Sequence, residues 1–438
     1  MHFGRRPSRL PAELEGLHGI PLSSLDPRAA WATTVERALE LEVDAVLLAG
    51  DVVDSKNHFI EAYGALFSGV ERLTAAGVDV VAVAGNHDVT ALPRLARELE
   101  GFTLLGRGGQ WATHLVRRAG EPLVRVLGWS FPRRRVESSP LDALPDAWRS
   151  GHFGDEASQD LPTVGLLHCD LDSTDRDYAP VPKAAFAQLG LSAWFLGHIH
   201  QPSIHGGDRP LGYLGSLVGL DPGEQGVRGP WLATSEPGRW ELEQLVLSPI
   251  LWESFEVDLT DCEDLEALEA ASIRAIKDLA RHLGPRLEGT RAVGLRSRFV
   301  GRTQLTAAER RLGAERAANQ LQLKLDGVVY FVDRIDDETR PALDLEALAA
   351  RQDPLALVAR RLLDLQEGGE ACAALVVAAR PRLEAVASHG NFGALQDGPP
   401  GDEEVRALLM RTAARALEEL LAQKSERTEP ERLEEVRG

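Results

Sequence analysis

Cysteine is scarce: Cys169, Cys262 and Cys372 are the only three in 438 residues. An odd count without ligand-like spacing excludes a disulfide framework and a thiolate metal cluster, and points to a reducing compartment, the cytoplasm. Cys169 directly follows His168, but a small buried hydrophobe is its better reading. Long apolar runs are missing too. The longest, "ACAALVVAA" from Ala371, is far too short to cross a bilayer, and no segment has the layout of a signal peptide. Nor is there an excess of positive charge. Against 67 Asp and Glu stand 48 Lys and Arg, a formal charge of −19. A field of that sign repels nucleic acid, whose binding draws on basic groups that release counterions from phosphates. Any such contact must use a local basic patch, bound cations or a partner.

What is present is an ordinary globular composition, 44% hydrophobic and 26% charged, in a chain long enough for two or three domains. In "DPRAAWATTVERALEL", Asp26 is placed to cap a helix and Pro27 to open it. "VDAVLLAGD" follows as a strand buried on both faces, then the helix "FIEAYGALFSGVERLTAAG" and a second buried strand, "VDVVAVAGNHD". Strand, helix and strand form a crossover unit of a parallel sheet. After Gly101 come shorter strands, a polar loop over roughly 132–160, and two more apolar runs, "PTVGLLHCD" and "SAWFLGHIH". The expected domains are 1–250, a small α+β unit over 251–342, and a helical region over 343–438. In the last helix Val405, Leu409, Ala413, Ala416, Leu417 and Leu420 make one apolar stripe.

Every buried strand of the first half ends in a potential metal ligand: Asp51, then Asn86 and His87, then His168, then His198 and His200. Ligands gather outside the carboxyl ends of strands in open α/β sheets, so these side chains converge if the strands share a sheet. Gly50, Gly85 and Gly197 precede them, where the chain must turn sharply and crowd an ion or phosphate. Any one piece has a bland reading: "GD" is common, and "HIH" is often a satisfied strand pair. Polar residues capping every core strand do not share that excuse. Imidazoles, a carboxylate and an amide oxygen suit a first-row divalent metal such as manganese, iron or zinc better than magnesium or calcium. Asp51 is the carboxylate that can bridge cations about 3.5–4 Å apart and so activate a water for in-line attack on a phosphate ester.

"GDVVD", "GNHD", the lone His168 and "GHIH" resemble the calcineurin-like metallophosphoesterase superfamily in order and spacing. "YLGSLVGLDPGEQGVRG" and "DDETRPALDLEAL" look more like its DNA-repair exonuclease branch, of the SbcD and YhaO type. The resemblance implies an α/β fold, an αββα sandwich of two packed mixed sheets flanked by helices, with a small α+β cap and a helical C-terminal region. It implies a hydrolase cutting DNA phosphodiesters, with 3′-to-5′ polarity. One metal falls to Asp51, His200 and the histidine of an Asp-x-His-x-Gly motif, the other to Asp51, Asn86, His168 and His198. His87 would stabilise or protonate the leaving oxygen, and Asp54 would orient that imidazole. "MHFG" matches the second half of the motif, with His2 as ligand. Its aspartate and a first core strand are expected just upstream of Met1, and the chain as written is expected to hold one metal weakly.

Arg133, Arg134 and Arg135, and Arg296, Arg298 and Arg302, are the basic patches available for DNA phosphates. Solvated faces or internal ion pairs are the alternatives. Expected partners are DNA, a coiled-coil ATPase of the SbcC type docking on the C-terminal stripe, and as an option a second copy of the chain; a membrane is not among them. That stripe packs equally well on its own domain. Two other functions stay open: a small-substrate phosphatase or phosphodiesterase, and a non-catalytic tether that has lost one metal. Ser55 and Lys56 stand where protein phosphatases place an arginine, which argues against that branch.

Overall fold

A computed structural model describes residues 1–54, 59–150, 152–153, 161–173, 177–236, 238–342, 344–387 and 401–435. Ser55 and Lys56 lie outside that set. After one helical turn, α1 (Glu13–Gly16), Asp26 opens α2 (Pro27–Glu40). Its carboxylate accepts the N–H groups of Arg28 and Ala29 at 2.9 and 3.1 Å, as a cap must. The chain then alternates through β1 (Ala45–Leu48), α3 (Phe59–Ala75), β2 (Asp79–Ala82), α4 (Ala91–Glu98) and β3 (Phe102–Leu104). The three strands form a parallel sheet in the order β1-β2-β3, with Leu48 opposite Ala82. Among the described residues β1 pairs only with β2, and a cleft of about 650 Å³ runs along it toward Asp51 and His200.

A second sheet takes β4 (Trp111–Arg118), β5 (Glu121–Trp129), β6 (Thr163–His168), β9 (Ala193–Gly197) and β10 (Leu211–Tyr213), in the order β10-β9-β6-β5-β4. The short β7 (Asp170–Leu171) and β8 (Pro180–Val181) pair beside it. Only β4 and β5 are antiparallel within this sheet, so it is mixed. The two sheets pack through Val81 and Val83 against Val126, Val164, Leu166 and Phe195. On the first sheet's far side Trp31, Val35, Leu66, Val70 and Leu92 form a helix-covered core. This is the expected sandwich. Buried on both faces, β6 reads as a continuous apolar run because no residue in it meets water.

Contacts group the chain into two compact units, Met1–Glu256 with Ser272–Arg298 and Ala314–Asp336, and Val257–Ala271 with Phe299–Gly313 and Asp337–Gly438. The segment 251–342 therefore divides between both units, where the sequence suggested a separate domain. In the second unit the C-terminal stripe is inward: Val405 packs with Leu365, Cys372 and Val376, and Leu417 with Leu355 and Ala359. Of its two readings, packing on its own helices is the one found. All three cysteines are buried and none is in a disulfide. No helix among the described residues is long and apolar enough to cross a membrane.

Candidate metal centre

The ligand-bearing strands are divided between the two sheets, two and two, not gathered in one. β1 and β2 deliver Asp51, Asn86 and His87, while β6 and β9 deliver His168, His198 and His200. Their ends meet because the chain has no bulk where it turns. A Cβ on Gly85 would stand 2.7 Å from the Asp51 nitrogen and 2.8 Å from His168 Cε1, and one on Gly197 would strike the Ala49 carbonyl. Three of the candidate ligands hold left-handed backbone, His2 at φ 58°, Asp51 at 50° and His198 at 107°. Strain of this kind persists only where surrounding structure overdetermines it.

On one side of Asp51, His2 Nε2 lies 3.0 Å from His200 Nε2 and 3.7 Å from Asp51 Oδ2. His2 Nδ1 donates to Asp54 Oδ1 at 3.2 Å, and His200 Nδ1 donates to Glu224 Oε1 at 2.6 Å. Carboxylates only accept, so each imidazole carries its proton on Nδ1 and turns a lone pair outward on Nε2. Two lone pairs facing each other beside a carboxylate repel unless a proton or a metal cation lies between them. Burial holds His2 in the neutral form that a metal requires, its pKa lowered to about 4 against the pull of Asp54.

On the other side, His168 Nδ1 donates to the Ala49 carbonyl at 2.9 Å, while its Nε2 faces Asn86 Oδ1 at 3.1 Å and Asp51 Oδ2 at 3.4 Å. His198 joins this group; its ligand atom lies within 4.8 Å of those of Asp51 and His168. Its ring stands 5.2 Å from that of His168. Burial, helped by the charge on His168, lowers the His198 pKa to about 4. Burial alone would deter charge on Asp51 and on His168, but each holds the other ionised. The Asp51 carboxyl sits below its ordinary range and the His168 imidazole above its own. A proton on His168 thus does, without metal, what a cation does for the same acceptors. Asp51, His168 and His198 form a donor set that could hold a divalent cation.

His87 donates Nδ1 to the Asp54 carbonyl at 3.0 Å and its backbone N–H to Asp51 Oδ1 at 3.0 Å. Its ring is partly exposed. Asp54 therefore orients His87 through its backbone, and its carboxylate serves His2 instead, 3.9 Å from His87 Nδ1. Its pKa is lowered, first by the His2 hydrogen bond. His2, Asp54 and His87 also bring ligand atoms within 4.8 Å of one another.

Two further residues have roles that motif reading passes over. Glu224 holds His200, and its second oxygen accepts the Leu220 N–H at 2.9 Å. Asp88, wholly buried, accepts the N–H groups of Val52 and Gly85, both at 2.7 Å. "GNHD" contains Asp88 in plain view; for Glu224 the only hint is its place in the stretch after "GHIH".

The arginines fall in two classes. Arg296 and Arg298 alternate to one face of their strand as expected, but Arg296 bonds Asp333 at 3.0 Å and Arg298 bonds Glu256 at 2.8 Å. Arg302 lies in the short strand Arg302–Thr303. Arg133, Arg134 and Arg135 are all exposed on the loop after β5.

Residues 17–202 match the calcineurin-like phosphoesterase family. The chain is 25% identical over 255 residues to the uncharacterized metallophosphoesterase YhaO of Bacillus subtilis, covering 53% of this chain and 56% of that protein. It is 28% identical over 222 residues to SbcD of Escherichia coli, a subunit of the nuclease SbcCD, covering 44% and 55%. Over 197 residues it is 28% identical to the DNA double-strand break repair protein Mre11 of Methanopyrus kandleri, covering 42% and 41%. The chain spans about half the length of these curated relatives. Residues 17–202 thus carry a calcineurin-like phosphoesterase domain.

Proposed function

We propose that this metallophosphoesterase domain is a two-cation phosphodiesterase acting on DNA, the nuclease subunit of a repair exonuclease. The observation that carries this reading is the pair of acceptor-lined pockets on either side of Asp51, one closed by His2 and His200, the other by Asn86, His168 and His198. These residues would hold two divalent cations, manganese by preference, which when bound would supply activation of a water near neutral pH and an offset to charge on the phosphate. The chain's residues do the rest. Asp51 spans the two pockets, and burial keeps His2 and His198 neutral and able to ligate. His87, fixed through Nδ1, would protonate the leaving oxygen from Nε2 once its ring has taken up a second proton from solvent.

DNA as substrate is supported by two relatives whose names are a nuclease subunit and a double-strand break repair protein. The first of these names also motivates a partner, a coiled-coil ATPase of the SbcC type. The test is a cleavage assay on linear DNA in Mn²⁺ at low salt, with His87→Ala beside the wild type. Shortening by the wild type and a large loss in the variant is the expected result; equal degradation by both overturns the mechanism. Release of phosphate from small esters without DNA cutting selects the small-substrate enzyme. Absence of Mn²⁺ uptake selects the tether.

A further inference from the structure

We infer that the exposed loop 132–135, with Arg133 and Arg134, is an arm that grips the phosphates of a single DNA strand entering the metal centre. The inference rests on the proposed DNA substrate. Both ends of the loop are fastened to ligand segments. At the near end, the Ser130 hydroxyl accepts the Ala84 N–H at 2.8 Å, and the Phe131 N–H donates to the Ala84 carbonyl at 3.0 Å. Ala84 is two residues before Asn86, and the Phe131 ring stands 5.7 Å from that of His168. At the far end, Val136 forms a bridge with Tyr178, whose N-terminal neighbour Asp177 accepts the Val136 N–H at 2.9 Å. The Tyr178 ring lies 5.1 Å from that of His198. Four residues thus span from one ligand of the second pocket to another, and they carry three consecutive arginines.

Charge decides which of these arginines is available. Arg135 is engaged by Asp177 at 3.3 Å. Arg133 donates only its Nε, to the Arg135 carbonyl at 3.0 Å, which shapes the loop and leaves the outer guanidinium nitrogens. Arg134 makes no hydrogen bond or ion pair among the described residues. Arg296 and Arg298 differ, because each already has an acidic partner. On a chain of charge −19, cationic groups without such partners beside the ligands are where a polyanion meets least repulsion. Guanidinium groups pair with phosphate oxygens in a fixed fork geometry and read no sequence, as strand-guiding requires.

The test measures binding of a fluorescent single-stranded oligonucleotide by anisotropy in EDTA, across a salt series, so that neither cleavage nor metal occupancy enters. Arg133→Glu with Arg134→Glu is compared with Arg239→Glu with Arg281→Glu, which changes net charge equally at remote exposed positions. Thermal melts check that both variants stay folded. The arm variant is expected to raise the Kd by about tenfold or more and to flatten the dependence of log K on log salt by about one to two. The control should shift Kd by far less. Equal losses in the two variants, or no binding by the wild type, overturn the inference. Hydrolysis of a small phosphodiester by the wild type in Mn²⁺ reads the enzymatic function separately, so each can fail alone.

Discussion

The Asp88 carboxylate accepts the backbone N–H of Val52 at 2.7 Å, which fastens the turn carrying Asp51 to the turn carrying Asn86 and His87. Its other oxygen holds Gly85 at the same distance, so one buried side chain fixes the spacing of two ligand loops. Replacing Asp88 by Ala leaves two buried donors unsatisfied and is expected to cost about 2–5 kcal/mol in denaturant unfolding.

The same carboxyl predicts a pH effect. Complete burial, then the Asp51 charge, push its pKa from 3.8 up to about 7, against the two backbone hydrogen bonds. Between those values the native state keeps a proton that the unfolded chain releases. Asp88 therefore makes metal-free stability fall as pH rises through that window and stop falling above it. In EDTA, Asp88→Asn should remove this part of the slope. An unchanged slope would assign it to other groups.

Glu224 predicts a metal phenotype. Its hydrogen bond holds His200 with Nε2 toward His2, as outer-shell carboxylates hold ligating imidazoles. Glu224→Ala should weaken Mn²⁺ binding by about 10–100-fold in calorimetric titration, and Glu224→Gln, which keeps an acceptor, by clearly less. Equal losses in both would assign the effect to charge, not orientation.

His87 should separate chemistry from binding. His87 lies outside both proposed ligand sets, so on that assignment His87→Ala is expected to keep Mn²⁺ affinity close to that of the wild type while kcat falls by about 10²–10⁴. A matching loss of metal would make His87 a ligand.

Gly85→Ala tests the crowding directly. The added methyl meets the Asp51 nitrogen at 2.7 Å and His168 Cε1 at 2.8 Å, so the loops must separate. Stability should drop by about 1–3 kcal/mol and the Mn²⁺-induced rise in Tm should shrink or vanish.

The part of this centre legible in the sequence is the part encoded locally. Asp26 and Pro27 announce α2 because a helix start is a short-range event, and buried parallel strands announce themselves as apolar runs ending in Asp51, Asn86, His168 and His198. Partition of those strands between two sheets was not legible, since a run buried on both faces carries no mark of which layer owns it. Glu224 is one of 67 acidic residues and reaches His200 only through the turn that follows β10. The Arg296 and Arg298 pairings were equally hidden: alternation names the face, but Asp333 and Glu256 come from other strands.

Because Asp51 and Asn86 hang from one layer while His168, His198 and His200 hang from the other, neither layer alone owns all the proposed ligands. On the proposed two-cation reading, an ion would be captured strongly only once the layers have closed on each other, as a latch across them. Chelation should therefore loosen the seam between the layers before either layer melts.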